Sequence, residues 1–276
     1  MEIEPEVELL GGNTSVVIRI GETVHRSSGR WTKSVHGLLR HLEIAGFEGV
    51  PRVIGFDEKN REVLSYLHGQ VPGDAPWPDY IWSKATLEEV GHWLRGYHRV
   101  VAEYHPGPQS RWWYGEGASA EDQLICHNDF APYNTVFRAG RIVGVIDWDV
   151  AGPANPLWDL AFCAWSWVPL HNPKLTEVLG GPGEAFQASR MKILSDSYGH
   201  ADAASLVPLI VDRVMASRDG LILGAEGGDP VMHQLVDVGH LADMEQTLKY
   251  LQIRRKSLVQ EIKVQQICSV GEVLSN

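Results

Sequence analysis

The chain has 276 residues, of which 44% are hydrophobic, and it carries a formal net charge of −11 at pH 7. That length supports a substantial core, and the acidic balance argues against nucleic acid as a partner because phosphate binding needs clustered Lys and Arg. The apolar runs are too short for a membrane span, the first ten residues lack a secretion-signal pattern, and the three cysteines lack disulfide or metal-site spacing, so we expect a cytoplasmic protein with no membrane partner.

The first part of the chain predicts three short strands, at residues 7–10, 16–20 and 22–26. The connection between the first two strands has the sequence GGNTS. A glycine-containing hairpin can cover phosphates because its backbone N–H groups approach without an obstructing Cβ. Asn13 and Thr14 are therefore candidate nucleotide contacts, and an ordinary hairpin turn is the alternative. The chain has no G-x-x-x-x-G-K-[ST] pattern, which disfavours a P-loop enzyme.

A helix and two further strands follow. Apolar residues at spacings of three and four predict a helix over 34–45, and β-rich runs predict strands at 50–56 and 62–67. The composition then shifts to Gly and Pro, which we interpret as the boundary between two lobes, residues 1–70 and 71–276. Helical patterns in the second lobe cover residues 85–104, 184–198, 206–217, 231–238 and 241–264. The last could be a dimer seam or pack on its own lobe, so we expect a monomer or a homodimer.

The stretch with the most polar chemistry lies at residues 125–160. Its candidate functional residues are His127, Asp129, Asn134, Asp147 and Asp149, with Asn128 between the first two. Between Asn134 and Asp147 the pattern predicts a hairpin. Its second strand ends beside the start of its first strand, so these two side chains should face each other. An amide and a carboxylate suffice as protein ligands for Mg²⁺, whose other positions take water and substrate phosphates. Asp129 then lies near the metal without being needed as a ligand, and it is free to accept a proton.

The spacing H-x-D-x-x-x-x-N, followed by a hairpin and a further Asp, resembles the catalytic loop and metal-binding Asp of protein kinases. Two more pieces, IDWD at 146–149 and PLWDLA at 156–161, are similar to the aminoglycoside phosphotransferase and choline kinase-like family. The resemblance implies an α+β, two-lobe protein kinase-like fold, with a small N-terminal antiparallel β-sheet lobe and a larger, mainly helical C-terminal lobe. It also implies Mg²⁺-dependent transfer of the γ-phosphoryl group of ATP or GTP to a hydroxyl of a small molecule. The negative charge of the chain favours a cationic acceptor, for example an aminoglycoside-like molecule.

The same resemblance assigns the nucleotide contacts. The backbone of Ser65, Tyr66 and Leu67 would pair with the nucleobase, and an edge strand followed by a linker is the alternative. A cation on the third strand would bind the phosphates. Arg26 is our candidate and His25 its rival, since strand alternation sends the two side chains to opposite faces. Related kinases carry a Lys there.

Their cation has an acidic partner on the next helix, which has no obvious counterpart here. Val35 and His36 stand near the expected place, and Glu43 comes later. The partner of the cation is therefore left open.

Three residues are assigned supporting roles. We expect the ring of His127 to hydrogen-bond backbone or a carboxylate and so to fix the loop. Asp159, near a predicted helix start, would brace the catalytic loop by resemblance. Asp149 would either hold a second metal ion or end the strand.

Two other functions stay open beside the kinase. The absent Lys and helix acid favour a catalytically weak or inactive binding or immunity protein on the same fold. The polar residues of the central stretch could also serve a metal-dependent phosphohydrolase or nuclease, although the acidic charge counts against nucleic acid. The identity of the acceptor does not follow from the sequence.

Overall fold

The computed structural model describes residues 5–9, 16–114, 116–117, 119–199 and 202–273, with side chains described as far as residue 266. Asn13 and Thr14 lie outside the described residues, so their contacts stay predictions. The chain divides into two compact units, Met1–Gly73 with Gly96–Asp159, and Asp74–Arg95 with Leu160–Asn276. One junction lies close to the boundary that the sequence predicts near residue 70. The segment with the candidate catalytic loop groups with the N-terminal sheet.

The first unit begins with a five-stranded antiparallel sheet in the order β1-β2-β3-β5-β4. Its strands are β1 (Glu6–Leu9), β2 (Val17–Ile20), β3 (Thr23–Arg26), β4 (Val53–Phe56) and β5 (Glu62–Ser65). In the β3–β5 ladder, Thr23 lies opposite Ser65 and Arg26 lies opposite Glu62. The two pairs are three residues apart, which is roughly 10 Å along a strand. The register therefore separates the predicted base-binding segment from the predicted phosphate-binding cation and leaves room for a sugar between them.

Helix α1 (Thr32–Ile44) connects β3 to β4. Its core side chains are Val35, Leu38, Leu39 and Leu42, which are at most 1% exposed and repeat at spacings of three and four. Gly46 follows with φ of 69°, a left-handed conformation that commonly ends a helix. The predicted helix is confirmed, with a start two residues earlier.

The elements around the candidate catalytic loop are α2 (Lys84–Val101), β6 (Leu124–Cys126), β7 (Thr135–Arg138), β8 (Arg141–Val145), β9 (Gly152–Ala154) and α3 (Pro156–Trp167). Strands β7 and β8 form the predicted hairpin. Its turn residues Ala139 and Gly140 have φ of 50° and 74°, as a two-residue type I′ turn requires. Strands β6 and β9, which the sequence did not predict, pair antiparallel and flank the loop.

The second unit is helical among its described residues. After the C-terminal part of α3 it contains α4 (Pro173–Val178), α5 (Gln187–Tyr198), α6 (Leu206–Glu226), α7 (Pro230–Asp237) and α8 (His240–Val273). Helix α8 packs against α5 and α6. Four apolar side chains in the predicted range 241–264 are buried, those of Leu248, Leu251, Leu258 and Ile262. Helix α8 thus packs on its own unit, as one of the two alternatives predicted. In the part of the chain that the structure describes, the helices are too short or too polar to cross a bilayer.

Candidate active site

The candidate catalytic loop lies between β6 and β7, and the hairpin brings the chain back to it. Thr135 pairs with Val145 in the β7–β8 ladder, and the Ile146 N–H donates to the Asn134 carbonyl over 2.9 Å. Asn134 and Asp147 are therefore set at the same open end of the hairpin. The structure therefore contains the β7–β8 hairpin on which the predicted metal site depends.

Asp129 lies on this loop with both carboxylate oxygens held by donors. Its Oδ1 accepts from the Tyr133 hydroxyl at 2.7 Å, and its Oδ2 accepts from Asn134 Nδ2 at 2.8 Å. The same amide also donates to the Asp129 carbonyl at 3.0 Å. The side chain is half-buried. The hydroxyl and the amide thus orient the carboxylate, as a general base requires.

His127 is completely buried on the same loop and is held as a neutral ring. The Asp129 N–H donates to its Nδ1 over 3.2 Å, so its Nε2 carries the hydrogen and donates to the Ile146 carbonyl, also over 3.2 Å. Burial lowers the pKa of His127. The Trp148 ring packs edge-on against it, with centroids 4.5 Å apart. The ring therefore ties the loop to the end of the hairpin, and its two nitrogens are both used in doing so.

Asp159 is completely buried in the first turn of α3 and accepts hydrogen bonds from the catalytic loop. Its Oδ2 accepts from the His127 N–H at 3.0 Å and its Oδ1 from the Asn128 N–H at 2.9 Å. His98 of α2 donates to Oδ2 at 3.1 Å. Burial opposes ionisation, but the hydrogen bond and charge of His98, with the loop N–H groups, hold the pKa of Asp159 below its usual value.

Cys126 lies beside His98 and Asp159. One potential ligand atom from each of these three residues lies within 4.8 Å of the other two. Because both carboxylate oxygens already accept hydrogen bonds, we interpret the group as a brace of the loop rather than a metal site.

Two of the site residues have left-handed backbone conformations. Asn128 has φ of 65° and Asp147 has φ of 59°. Asn and Asp are the side chains that tolerate this region best after Gly. The N–H of Asn128 binds Asp159, and its Nδ2 donates to the Val150 carbonyl at 3.1 Å, which fixes the conformation. The backbone therefore constrains residue type at both positions, independently of the chemistry of the side chains.

Arg26, at the end of β3, contacts three carboxylates. Its Nη1 donates to Asp147 at 3.0 Å, its Nη2 donates to Asp149 at 2.5 Å, and its Nε donates to Glu62. Burial disfavours its charge, but the carboxylates of Asp149, Asp147 and Glu62 outweigh burial and raise the pKa of Arg26. Burial raises the pKa of Asp149 to about 6, and the Asp147 carboxylate acts in the same direction against the opposing effect of Arg26.

The rival cation His25 faces elsewhere. Its Nδ1 bonds Asp57 at 2.9 Å and its Nε2 bonds Thr23 at 2.9 Å. Among the described residues, Arg26 is therefore the candidate that reaches the acids at 147 and 149. The acid that pairs with it is Glu62 of β5, and His36 of α1 bonds the second oxygen of Glu62 at 3.0 Å.

The donor set fits a hard divalent cation. Asp147 and Asp149 both contact the guanidinium of Arg26, so these two carboxylates already share one positive charge and would be available to hold a metal ion. The Nδ2 of Asn134 is used by Asp129, which directs the amide oxygen away from that carboxylate. Oxygen ligands of this kind suit Mg²⁺.

The predicted base-binding segment follows β5. The Ser65 N–H donates to the Arg52 carbonyl and the Tyr66 N–H donates to the Glu22 carbonyl, each over 2.8 Å. Those two donors are used within the sheet, which leaves Leu67 as the candidate donor to a base edge. The guanidinium of Arg19 lies 3.9 Å from the centroid of the Tyr66 ring.

The sequence reasoning missed three residues of this site. Tyr133 is four residues after Asp129 on a short 3₁₀ turn, a spacing that could have suggested the contact. His98 lies in the helical pattern at 85–104 outside any motif, but it is 5% exposed and bonds Asp159. The pairing of Glu62 with Arg26 could not be predicted from the sequence, because it depends on the order of the strands in the sheet.

The chain is similar to proteins of a phosphotransferase family. A family model described as "Phosphotransferase enzyme family" matches residues 109–181. A trifolitoxin immunity protein from Rhizobium leguminosarum bv. trifolii is 36% identical over 198 residues, which cover 70% of this chain and 74% of that protein.

Solved structures share the fold at low identity. An amicoumacin kinase in complex with AMP-PNP, Ca²⁺ and Ami has a TM-score of 0.62 and 15% identity, over 93% of this chain and 88% of that one. The GDP complex of an aminoglycoside 2'-phosphotransferase has a TM-score of 0.55 and 13% identity, over 93% and 94% of the two chains. The predicted kinase-like α+β fold, with a small antiparallel sheet lobe before a larger helical part, is confirmed.

Proposed function

Since the chain belongs to the phosphotransferase enzyme family, we propose that it transfers the γ-phosphoryl group of ATP or GTP to a hydroxyl of a small molecule, with Asp129 as the general base. The observation that supports the proposal is that Asn134 and Asp147 lie at the same end of the hairpin, with the oriented carboxylate of Asp129 on the adjoining loop. Phosphoryl transfer needs this combination of a cation site and a base that orients the acceptor.

Each residue of the site has a defined task in this proposal. Asp129 accepts the proton of the acceptor hydroxyl, while Tyr133 and Asn134 keep its carboxylate in one orientation. Asn134 and Asp147 would hold Mg²⁺, with Asp149 as a further ligand. Bound there, the ion would neutralise the nucleotide phosphates and the charge that develops on them. Arg26 would bind the same phosphates.

The remaining contacts belong to the nucleotide. Leu67, with Ser65 and Tyr66 before it, would face the base, and Asn13 with Thr14 would cover the phosphates. His127 and Asp159 touch neither reactant in this proposal and hold the catalytic loop in place. The negative charge of the chain favours a cationic acceptor such as an aminoglycoside-like molecule. The cytoplasmic location and the oligomeric state stay predictions.

The first test replaces the proposed base. Asp129→Asn keeps the size of the side chain and an oxygen that can accept from Tyr133, but it cannot take up a proton. We expect kcat for ATP or GTP turnover to fall by about 10²–10⁴-fold, with the Kd for the Mg–nucleotide within about threefold of the wild type. The exposed Asp122→Asn is the matched control. A variant that retains near-normal kcat would remove Asp129 from this role.

The second candidate function is immunity by binding without phosphoryl transfer. The 36% identity to a trifolitoxin immunity protein supports it, as does the Arg in place of the usual Lys. A growth assay separates the two functions. If the wild type protects sensitive cells from trifolitoxin and Asp129→Asn protects equally, binding is sufficient. If protection disappears with kcat while the variant stays folded, immunity depends on catalysis.

A further inference from the structure

Arg26 has three acidic partners that differ in exposure and in the element that carries them. The side chain of Glu62 is 1% exposed, whereas those of Asp149 and Asp147 are 23% and 41% exposed. Glu62 lies on β5, directly opposite Arg26 in the ladder. The other two acids follow the β7–β8 hairpin and are candidate metal ligands.

The three contacts are therefore not equivalent. A buried carboxylate that loses its cation is left uncompensated at high cost, so the contact between Glu62 and the Nε of Arg26 should persist in every state of the site. The two partly exposed acids can exchange a guanidinium for another cation, because water or a metal ion can reach and compensate them. Arg26 has the geometry for such an exchange, since its Nε and its two Nη atoms face different carboxylates.

Helix α1 contributes to the arrangement through a histidine rather than an acid. His36 is 3% exposed at its side chain, and its Nε2 bonds the Glu62 oxygen that does not face Arg26. The acid that α1 does carry near its end, Glu43, is exposed. Glu62 is thus fixed from both sides, by the strand that holds Arg26 and by the helix.

We propose that Glu62 is the positioning residue of Arg26, in place of the acid that the resemblance leads one to expect on helix α1. It retains the guanidinium through Nε while the two Nη groups leave Asp147 and Asp149 for the phosphates of a bound nucleotide. The inference rests on the proposed function, because it gives Arg26 a phosphate to bind.

The test measures equilibrium binding of Mg·AMP-PNP and Mg·GMP-PNP by titration calorimetry. The variants are Glu62→Gln, Arg26→Met and the double variant, with Glu43→Gln as the matched control on α1. We expect Glu62→Gln to weaken binding about tenfold, the scale of one charge-assisted hydrogen bond. Glu43→Gln should stay within about twofold of the wild type. The double variant should bind no more weakly than Arg26→Met alone, because Glu62 acts through Arg26.

The outcomes separate positioning from a purely structural role. A purely structural Glu62 would weaken binding in the Arg26→Met background as well, and such additivity would overturn the inference. Normal affinity in Glu62→Gln would overturn it too, with the proposed function intact. If circular dichroism shows that Glu62→Gln does not fold, Glu62→Asp takes its place, because it keeps the charge but shortens the side chain. Unchanged nucleotide affinity in Glu62→Asp would overturn the inference, and weakened affinity would support it. If the wild type binds neither nucleotide, the proposed function and the inference fall together.

Discussion

Asp159 offers the sharpest test of how the catalytic loop is held. Its buried carboxylate accepts from the backbone N–H groups of His127 and Asn128 and from the ring of His98. Asp159→Asn preserves the size of the side chain but leaves one acceptor oxygen in place of two. At least one buried donor must then face an NH₂ group.

The magnitude follows from these contacts. An unpaired buried N–H costs about 1–3 kcal/mol, and loss of the charge-assisted hydrogen bond to His98 costs about 1.5–3 kcal/mol. With partial relaxation of the loop, we expect the free energy of unfolding to fall by about 3–5 kcal/mol. For a chain of this size the melting temperature should fall by about 10 °C.

The wild type should also show a pH dependence from this group. The pKa of Asp159 lies below its ordinary value of 3.8 in the folded protein, despite the opposing effect of burial, because of His98 and the loop N–H groups. Its stabilising contribution is therefore fully present above pH 3.8 and is lost as the pH falls through the lower folded-state value. Asp159→Asn should lack this component of acid destabilisation.

Urea denaturation followed by circular dichroism, at pH 7 and at pH 3 or lower, measures both effects. The exposed Asp122→Asn is the control and should change stability by less than about 0.5 kcal/mol. A loss below about 1 kcal/mol in Asp159→Asn would refute the assignment of three structural hydrogen bonds to this carboxylate.

Three further predictions concern the hairpin and the cation site. Asp147→Asn should fold normally, because Asn also tolerates φ of 59°. Its Mg²⁺-dependent nucleotide affinity should fall about tenfold or more. Affinity equal to that of the wild type in a calorimetric titration would exclude Asp147 as a metal ligand. Gly144→Ala should lower the free energy of unfolding by about 1–3 kcal/mol in urea denaturation, because its Cβ would lie 2.7 Å from the Gly49 carbonyl; no loss would contradict this close contact. Ala139→Asn should raise stability by about 0.5–1 kcal/mol, since Asn accepts φ of 50° in the turn more readily than Ala, and an unchanged urea midpoint would count against the I′ turn.

The catalytic loop and the hairpin could be predicted because they are local. Asp129 and Asn134 are five residues apart, and two β-rich runs with a short turn determine where Asp147 returns. Helix α6 shows the limit of local patterns. The predicted helix ends at residue 217, but the structure continues it to Glu226. Gly224 lies inside it, where a Cβ would come within 2.6 Å of Met232 on α7, so this glycine allows close packing rather than ending the helix.

The partner of Arg26 could not be predicted for a different reason. Glu62 is 36 residues away, and the two meet only because β5 is inserted between β3 and β4 in the sheet. Strand alternation separates His25 from Arg26 but does not indicate which of them faces the acids. The expectation of an acid on α1 came from the resemblance, and in this chain the helix supplies His36 instead.

The charge balance around Arg26 bears on whether the site takes up a divalent cation. One guanidinium faces the three carboxylates of Glu62, Asp147 and Asp149, which leaves two negative charges uncompensated when all three are ionised. Burial and the neighbouring Asp147 raise the pKa of Asp149 to about 6, so this excess charge is costly at neutral pH. A divalent cation supplies the two missing charges, and we therefore expect Mg²⁺ binding to release a proton from Asp149 below about pH 6. Calorimetric titration in buffers of different ionisation enthalpy measures that proton, and its absence at pH 5.5 would remove Asp149 from the cation site.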